Sequence, residues 1–545
     1  MGDHVRRRKV DGRVSGDPSA STDSKPQSSS GQRTGNNQNS EELEYLEVKH
    51  VVILMVIVFI LFFTGAFLFL NAVSSIHPQL NDHEPINSNN DDVHSKKYKL
   101  RQSPPEEKSD TLKSNGKKKS EKQKQIKNLN LPTILWWTDM LYPHILSDSP
   151  VTQIKCGVGT CYSTDAKEYL GAEMTRGIMF YGTDFRAYEA PLPRQPWHEW
   201  ALLHEESPMN NYILSHSAML RLFNHTSTFR RESHFPITTH SLTSLSFLTE
   251  REPVPLSVKN KLRKESLAPI VYVQSHCNIA SDRDRYVKEL MKYIDIDSYG
   301  DCLNNKELPS HLQDPVESMF SEEFYDFISN YKFHLAFENA ICDDYITEKF
   351  FRPFHVGSVP VYLGASTARD WAPNNSSVIM VNSFESPKEL AEFIKALDEN
   401  DEEYEKYLAF KKEGIQNPLL EETMNTRNWA INDFHQHSFI TAFECYVCDN
   451  IYERWNLEKK QKDDPSVLLP PPSMGQYKHM GCPEPFVPVG KLEDVNLGDD
   501  IHTWIQDYWS MHDQALALQR MIREGYGDVS KLFDILHEMY KEKMR

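Results

Sequence analysis

YKFHLAFENAICDDYITEKFFRPFHVGSVPVYLG, residues 331–364, is the stretch on which the fold turns. It opens on a short apolar run, residues 333–337, of the length of a buried strand, and closes on a second, residues 358–363, ended by Gly364. Glu338 and Asn339 finish the first strand, and Cys342-Asp343-Asp344-Tyr345 follow on a loop. Thr347 is a suitable N-cap for a helix that begins with Glu348 and Lys349. In an open parallel sheet, ligands collect beyond the carboxyl ends of the strands, and a helix N-terminus there offers unpaired N–H groups and partial positive charge to an anion. A cation beside a carboxylate at such a place suits a phosphate leaving group on a centre that turns cationic as the group departs. The plain alternative is two solvated charges in a first helical turn, where Glu is favoured in any case.

The run FENAICDDYITEKFFRPFHVGSVPVYLG resembles the signature of the alpha-1,3-fucosyltransferases, glycosyltransferase family 10, with its FEN, DYITEK and SVPVYLG blocks in order. The resemblance implies an α/β fold of GT-B type: two Rossmann-like parallel-sheet domains with the active site in the cleft between them. It covers residues 131–449 for the family. CYVCD at its end, the GCP around Cys482 and IQDYW resemble the alpha-1,3-fucosyltransferase 10/11 subgroup, which implies O-fucosylation of Ser or Thr in folded cysteine-rich (EMI-type) domains of secreted proteins.

The rest of the chain frames this body. Residues 51–70, VVILMVIVFILFFTGAFLFL, carry no charge over 20 positions, enough to cross a bilayer as a helix and too long and too far from Met1 for a cleaved signal peptide. No Lys or Arg occurs in residues 71–94, whereas Lys49, Arg33 and Arg6 to Lys9 precede the span, so the N-terminus is expected in the cytosol and the remainder in a lumen. Residues 1–50 form a polar cytosolic tail expected to be disordered, and residues 71–130 a similar stem ending in a lysine-rich tract. The net charge of -18 leaves no basic face for nucleic acid. Eight dispersed cysteines permit disulfides in an oxidising compartment. A type II single-pass membrane protein is therefore expected; the subgroup resemblance implies the endoplasmic reticulum membrane, with the Golgi of the wider family as the alternative.

In the body, residues 132–137, 177–181 and 200–203 are strand candidates of an acceptor-side domain, 131–255. The third leads into Glu205 and Glu206, a place where a general base can face a second domain. Adjacent residues on an extended chain point to opposite sides, and the spacing does not choose between them. The ESP triplet resembles the family's acceptor-side motif, which implies Glu206 as the base. Asn224-His225-Thr226 is a glycosylation sequon, and Asn374 and Asn375 each begin another.

Residues 237–267 are polar and aperiodic and look like an interdomain connection. In a second domain, 268–450, strand and helix alternate from Ile270 to Leu397, beginning with residues 270–273 and Ser275 just beyond them, the pattern of a parallel nucleotide-binding sheet. Arg283 and Arg285 open a helix, where the macrodipole disfavours cations and an anionic ligand would relieve the conflict. The resemblance implies that Arg283 grips the nucleotide phosphates, with Arg285 as a second candidate. Asp343-Asp344 lacks DxD spacing and reads as a loop cap, and Pro353 should kink or shorten its helix. Cys445 and Cys448 form a CxxC without a second pair at zinc-like spacing. The family implies that Cys156 and Cys161 cross to Cys445 and Cys448 and hold the two domains together, whereas the pairing of Cys277, Cys302, Cys342 and Cys482 stays open. Residues 451–545 form a C-terminal extension, proline-rich from Pro470 to Pro488 and with helical faces beyond.

The roles that follow are those of an inverting transfer from GDP-fucose. Glu206 is the base, and Glu348 stabilises the oxocarbenium character of fucose. Arg283 and Lys349 neutralise the departing GDP, and Tyr345, Asn339, Glu338, Ser275 and Arg285 complete the donor site. The scheme calls for no metal and no other cofactor, because two cations already face the diphosphate. The same motifs serve transfer to GlcNAc of N-glycans or Lewis-type chains. A silent fucose-binding lectin or chaperone would keep the fold without needing both carboxylates, and a membrane-anchored adhesion protein would not need the phosphate-facing cations.

Overall fold

The computed structural model describes residues 129–544, apart from 139, 148, 315–317 and 432–437. The expected membrane span, residues 51–70, lies outside the described residues, and no helix among them is long and apolar enough to cross a membrane. Two sheets lie within one compact unit, Ser109–Arg545.

The first sheet has β1 (Thr133–Trp136), β2 (Thr152–Lys155), β3 (Thr160–Thr164), β4 (Thr175–Tyr181), β5 (Glu199–His204) and β6 (His225–Thr228), in the order β2-β3-β1-β4-β5-β6. All pairings are parallel except the β2–β3 hairpin. Its central strands are apolar on both faces because both faces are covered. Leu135, Ile178, Phe180, Trp200 and Leu202 join a core shared with the C-terminal extension. Their neighbours Ile134, Trp136, Met179, Ala201 and Leu203 point the other way, into a core with Phe443, Val447 and Ile451.

The second sheet is wholly parallel: β7 (Ile270–Gln274), β8 (Ile296–Gly300), β9 (Phe333–Phe337), β10 (Val359–Leu363) and β11 (Ile379–Met380), in the order β11-β10-β9-β7-β8. It belongs with the helices α1 (Leu256–Lys264), α2 (Arg283–Leu290), α3 (Glu322–Ile328), α4 (Glu348–His355) and α5 (Pro387–Asp398). Ile270, Phe333, Leu335, Val359 and Val361 pack under Val287 and Leu290 of α2 and Leu390 and Ile394 of α5. Ala336 and Tyr362 meet Phe350, Phe351 and Phe354 of α4 on the opposite face.

Two connections differ from the sequence reading. The polar stretch 237–267 contains α1, and Lys259 buries its ammonium against the second lobe, donating to the carbonyls of Tyr331 and Gly357 at 2.9 Å each and to the Ser358 hydroxyl at 3.1 Å. The CxxC helix α6 (Phe439–Asp463) begins inside the stretch assigned to the nucleotide domain, yet it packs on the first sheet. Buried Glu444 anchors it by accepting from Trp136 Nε1 at 2.8 Å and from the Ser163 hydroxyl at 2.5 Å. The disulfides Cys156–Cys445 and Cys161–Cys448 therefore fasten α6 to the β2–β3 hairpin. The expected pairing holds, but these links do not bridge the two lobes.

The lobes are joined elsewhere. Arg231, just beyond β6, donates through Nε to both carboxylate oxygens of Asp344 at 3.0 Å. Asp344 also accepts from Thr367 at 2.8 Å and Trp371 at 3.1 Å. Burial alone would raise its carboxyl, and the Arg231 guanidinium and Trp371 N–H reverse that and hold it low. The expected loop cap is thus an interlobe clasp. The extension helices α7 (Asp500–Glu524) and α8 (Leu532–Lys543) pack on the first lobe, and Cys342–Cys482 ties the extension to the loop after β9. Cys277–Cys302 closes a shorter loop within the second lobe.

Candidate active site

The carboxyl ends of both sheets open into one cavity of about 500 Å³, within the roughly 300–1,000 Å³ usual for small-ligand sites. Glu206 enters it from the first lobe; Ser275, Arg283, Asn339, Tyr345, Glu348 and Lys349 enter from the second. Glu206 faces inward because β5 ends at His204 and the chain turns at Ser207-Pro208. Glu205 points the other way, accepting from the Tyr181 hydroxyl at 3.0 Å, and burial pushes its carboxyl up. The two adjacent carboxylates are thereby assigned opposite environments.

Tyr345 links the lobes at the site, its hydroxyl donating to Glu206 Oε2 at 3.1 Å. Burial, reinforced by the Glu206 carboxylate, keeps that phenol protonated as a donor. Thr347 caps α4 as expected, and the helix ends two residues after Pro353. Glu348 accepts from Lys349 Nζ at 2.8 Å, and Arg352, one turn on, lies 4.0 Å from the same oxygen. Burial opposes ionisation of Glu348, but Lys349 and Arg352 overcome it and hold the carboxyl at about 2. A permanently ionised carboxylate beside a cation is what a developing oxocarbenium and a departing phosphate require.

Arg283 is 1% exposed and donates to the carbonyls of Phe337 and His276, each at 2.8 Å. Among the described residues no carboxylate lies within ion-pair distance of it, and its Nε has no partner. A buried cation without a counter-charge is strongly unfavourable, so this group calls for an anion from outside the chain. Asn339 Oδ1 and Arg352 Nε, on the same cavity wall, are likewise buried and unpartnered.

Two expected donor residues lie elsewhere. Arg285 pairs with Asp282 at 2.5 Å and with Asp499 of the extension at 3.2 Å, because its position on α2 turns it away from the cavity. Glu338 is fully buried behind the wall, bonded to Thr347. Arg352 is the converse case. It lines the cavity without being among the residues expected there, and its signal in the sequence is the i,i+4 spacing from Glu348 on a helix.

Comparison with known proteins gives these positions a family. The model described as Glycosyltransferase family 10 (fucosyltransferase) C-term matches residues 261–464, and Fucosyltransferase, N-terminal matches residues 129–239. The chain is a glycosyltransferase family 10 fucosyltransferase. The Gallus gallus protein named GDP-fucose protein O-fucosyltransferase 3 is 44% identical over 407 residues, 74% of this chain and 83% of that one. Its Mus musculus counterpart is 47% identical over 408 residues, 74% and 82%. Among solved structures, an alpha1,3-fucosyltransferase with GDP-fucose aligns at a TM-score of 0.33 and 15% identity, covering 59% of this chain and 90% of that one.

The three sequons of this fucosyltransferase differ in access. Asn224 is buried, and its amide is fully engaged: Oδ1 accepts from Trp200 N–H at 2.9 Å and Arg194 at 2.6 Å, and Nδ2 donates to Ser473 O at 2.9 Å. Asn375 is exposed, and Asn374 beside it accepts from Ser376 N–H at 2.9 Å.

Proposed function

We propose that this chain transfers L-fucose from GDP-β-L-fucose, with inversion, to a Ser or Thr hydroxyl of folded cysteine-rich (EMI-type) domains of secreted proteins. The observation that carries the reading is the convergence on one cavity of a carboxylate from the first lobe, Glu206, with the unpaired buried Arg283 and the Glu348–Lys349 pair of the second. The family membership and the names of the relatives support the donor and a protein acceptor.

The two lobes make a GT-B enzyme whose donor lies on the second sheet. The acceptor oxygen attacks the anomeric carbon from the Glu206 side, and Glu206 takes its proton. The bond between that carbon and the β-phosphate oxygen breaks, and its electron pair leaves with GDP. Arg283 and Lys349 neutralise the charge growing on the diphosphate, while Glu348 faces the positive charge growing on fucose. Asn339 and Ser275 orient the donor, and Tyr345 steadies the base. The chain itself supplies the counter-charge of the diphosphate, so we assign no metal to the step. Four disulfides suit an oxidising lumen. Together with the apolar run at 51–70, they support a type II anchor in the endoplasmic reticulum membrane.

The test is incubation of the purified full-length chain with GDP-fucose and either a folded EMI-type domain or a GlcNAc-terminated glycan, read by intact mass. A gain of one deoxyhexose on the folded domain alone is the expected result. Transfer to the glycan alone would replace the acceptor, and GDP binding without transfer to either would favour a fucose-binding lectin.

A further inference from the structure

The FEN, TEK and LG blocks of the signature meet at one buried carboxylate. Glu338 is 0% exposed, and its backbone N–H donates to Leu363 O at 2.8 Å. Gly364 leaves the room it needs: a Cβ there would stand 2.8 Å from Glu338 Cγ and 2.3 Å from the Tyr362 hydroxyl. Oε1 accepts the Thr347 backbone N–H at 2.8 Å, and Oε2 accepts the Thr347 hydroxyl at 2.7 Å. An ionised carboxylate can only accept, so the Thr347 proton must point at Glu338. That leaves the lone pairs of Thr347 Oγ1 to accept, and they take the Lys349 backbone N–H at 3.3 Å and the Lys349 ammonium at 3.4 Å.

We propose that Glu338 is a positioning residue for the donor: by fixing the direction of the Thr347 hydroxyl it sets, together with the Glu348 carboxylate at 2.8 Å, where the Lys349 ammonium stands at the diphosphate end of the cavity. The proposal rests on the reading of the cavity as a GDP-fucose site. It places the effect of Glu338 at the diphosphate, in donor affinity and leaving-group departure, and not in acceptor binding or in the base, which comes from the other lobe. A protonated Glu338 would offer a proton to Thr347 in place of a lone pair and undo the relay. Burial pushes that carboxyl up to about 7, against the pull of Lys349. The groups facing it are Lys349 and Glu348 of α4, Tyr345 of the preceding loop and Tyr362 of β10, and both tyrosines are held protonated by burial. The donor affinity of the unmodified chain should therefore fall as pH drops through that range.

Glu338→Gln keeps the shape, but its amide must donate to Thr347 and so reverses the hydroxyl. In the full-length chain we expect the Kd for GDP, by calorimetry, and the KM for GDP-fucose to rise about tenfold, with the acceptor KM within about twofold and the fall in GDP-fucose affinity at low pH abolished. Thr347→Val, which keeps volume, should reproduce the loss, Thr347→Ser should restore most of it, and the Glu338→Gln, Thr347→Val pair should lose no more than either alone. A GDP Kd unchanged in both Glu338→Gln and Thr347→Val, or a loss confined to kcat, overturns the relay. Failure of the unmodified chain to bind GDP overturns the donor reading beneath it.

Discussion

Tyr345→Phe isolates the bond that joins the two lobes at the reacting centre. The hydroxyl it removes donates to Glu206 Oε2 at 3.1 Å, and the ring around it is 1% exposed, wedged edge-on against Phe229 at 5.1 Å. The substitution leaves that packing intact and takes away one hydrogen bond to an ionised carboxylate, an interaction of roughly 1.5–3 kcal/mol. At about 1.4 kcal/mol per factor of ten, kcat/KM for fucosyl transfer should fall between about tenfold and a hundredfold. The assay is steady-state transfer to a folded protein acceptor, with GDP affinity measured in parallel by calorimetry. Because the bond serves the base and not the diphosphate, GDP affinity should stay within about threefold. A variant that turns over normally but binds GDP tenfold more weakly would refute the reasoning, since Tyr345 would then belong to the donor alone.

The Cys342–Cys482 bond closes 140 residues of chain and ties the extension to the loop that carries Tyr345. Cys482→Ala with Cys342→Ala should lower stability by about 3 to 5 kcal/mol in the chain-entropy picture, seen as a lower thermal midpoint and earlier proteolysis of the extension. Asn375→Gln should remove an endoglycosidase-sensitive mass, whereas Asn224→Gln should change no glycan and should destabilise the fold, because it disturbs the bonds to Trp200, Arg194 and Ser473. Glu348 is held at about 2, below the ordinary carboxyl value, so it contributes stability above that ordinary value and loses it as pH falls towards 2. In acid unfolding followed by circular dichroism, the unmodified chain should exceed Glu348→Gln by on the order of 2 kcal/mol at pH 7, and the gap should close below about pH 4.

The parts of the fold that were legible in the sequence are those whose side chains advertise their burial. The strands β9 and β10 coincide with the apolar runs because both faces of the second sheet are covered. β6 was passed over because its sequence, HTST, has no apolar residue, yet all four positions are buried. Its two threonine hydroxyls are satisfied by His234 and His479, partners outside the strand that no local pattern reveals, and Ser227 Oγ is buried without a partner among the described residues. β8, IDSYG, carries the polar pair Asp297 and Ser298 between its apolar Ile296 and Tyr299, and Asp297 is satisfied by Tyr331 and Lys306. The site was legible where a residue sits at the carboxyl end of a strand or in the first turn of a helix, as Glu206, Arg283, Glu348 and Lys349 do. It was not legible where three-dimensional neighbours decide the role. Arg285, expected at the donor, is taken by Asp282 and by Asp499 of the extension, and Glu338, expected in the cavity, stands behind its wall.

The most direct test of the account is Glu206→Gln, assayed for GDP binding and for transfer to a folded cysteine-rich domain in the same preparation. Because Glu206 lines the cavity from the lobe opposite the diphosphate cations, GDP should bind within about threefold of the unmodified chain. Transfer should fall by about a hundredfold to ten-thousandfold, the usual contribution of a positioned base. Transfer retained within tenfold would contradict the assignment, and with it the claim that the two lobes divide base and donor between them.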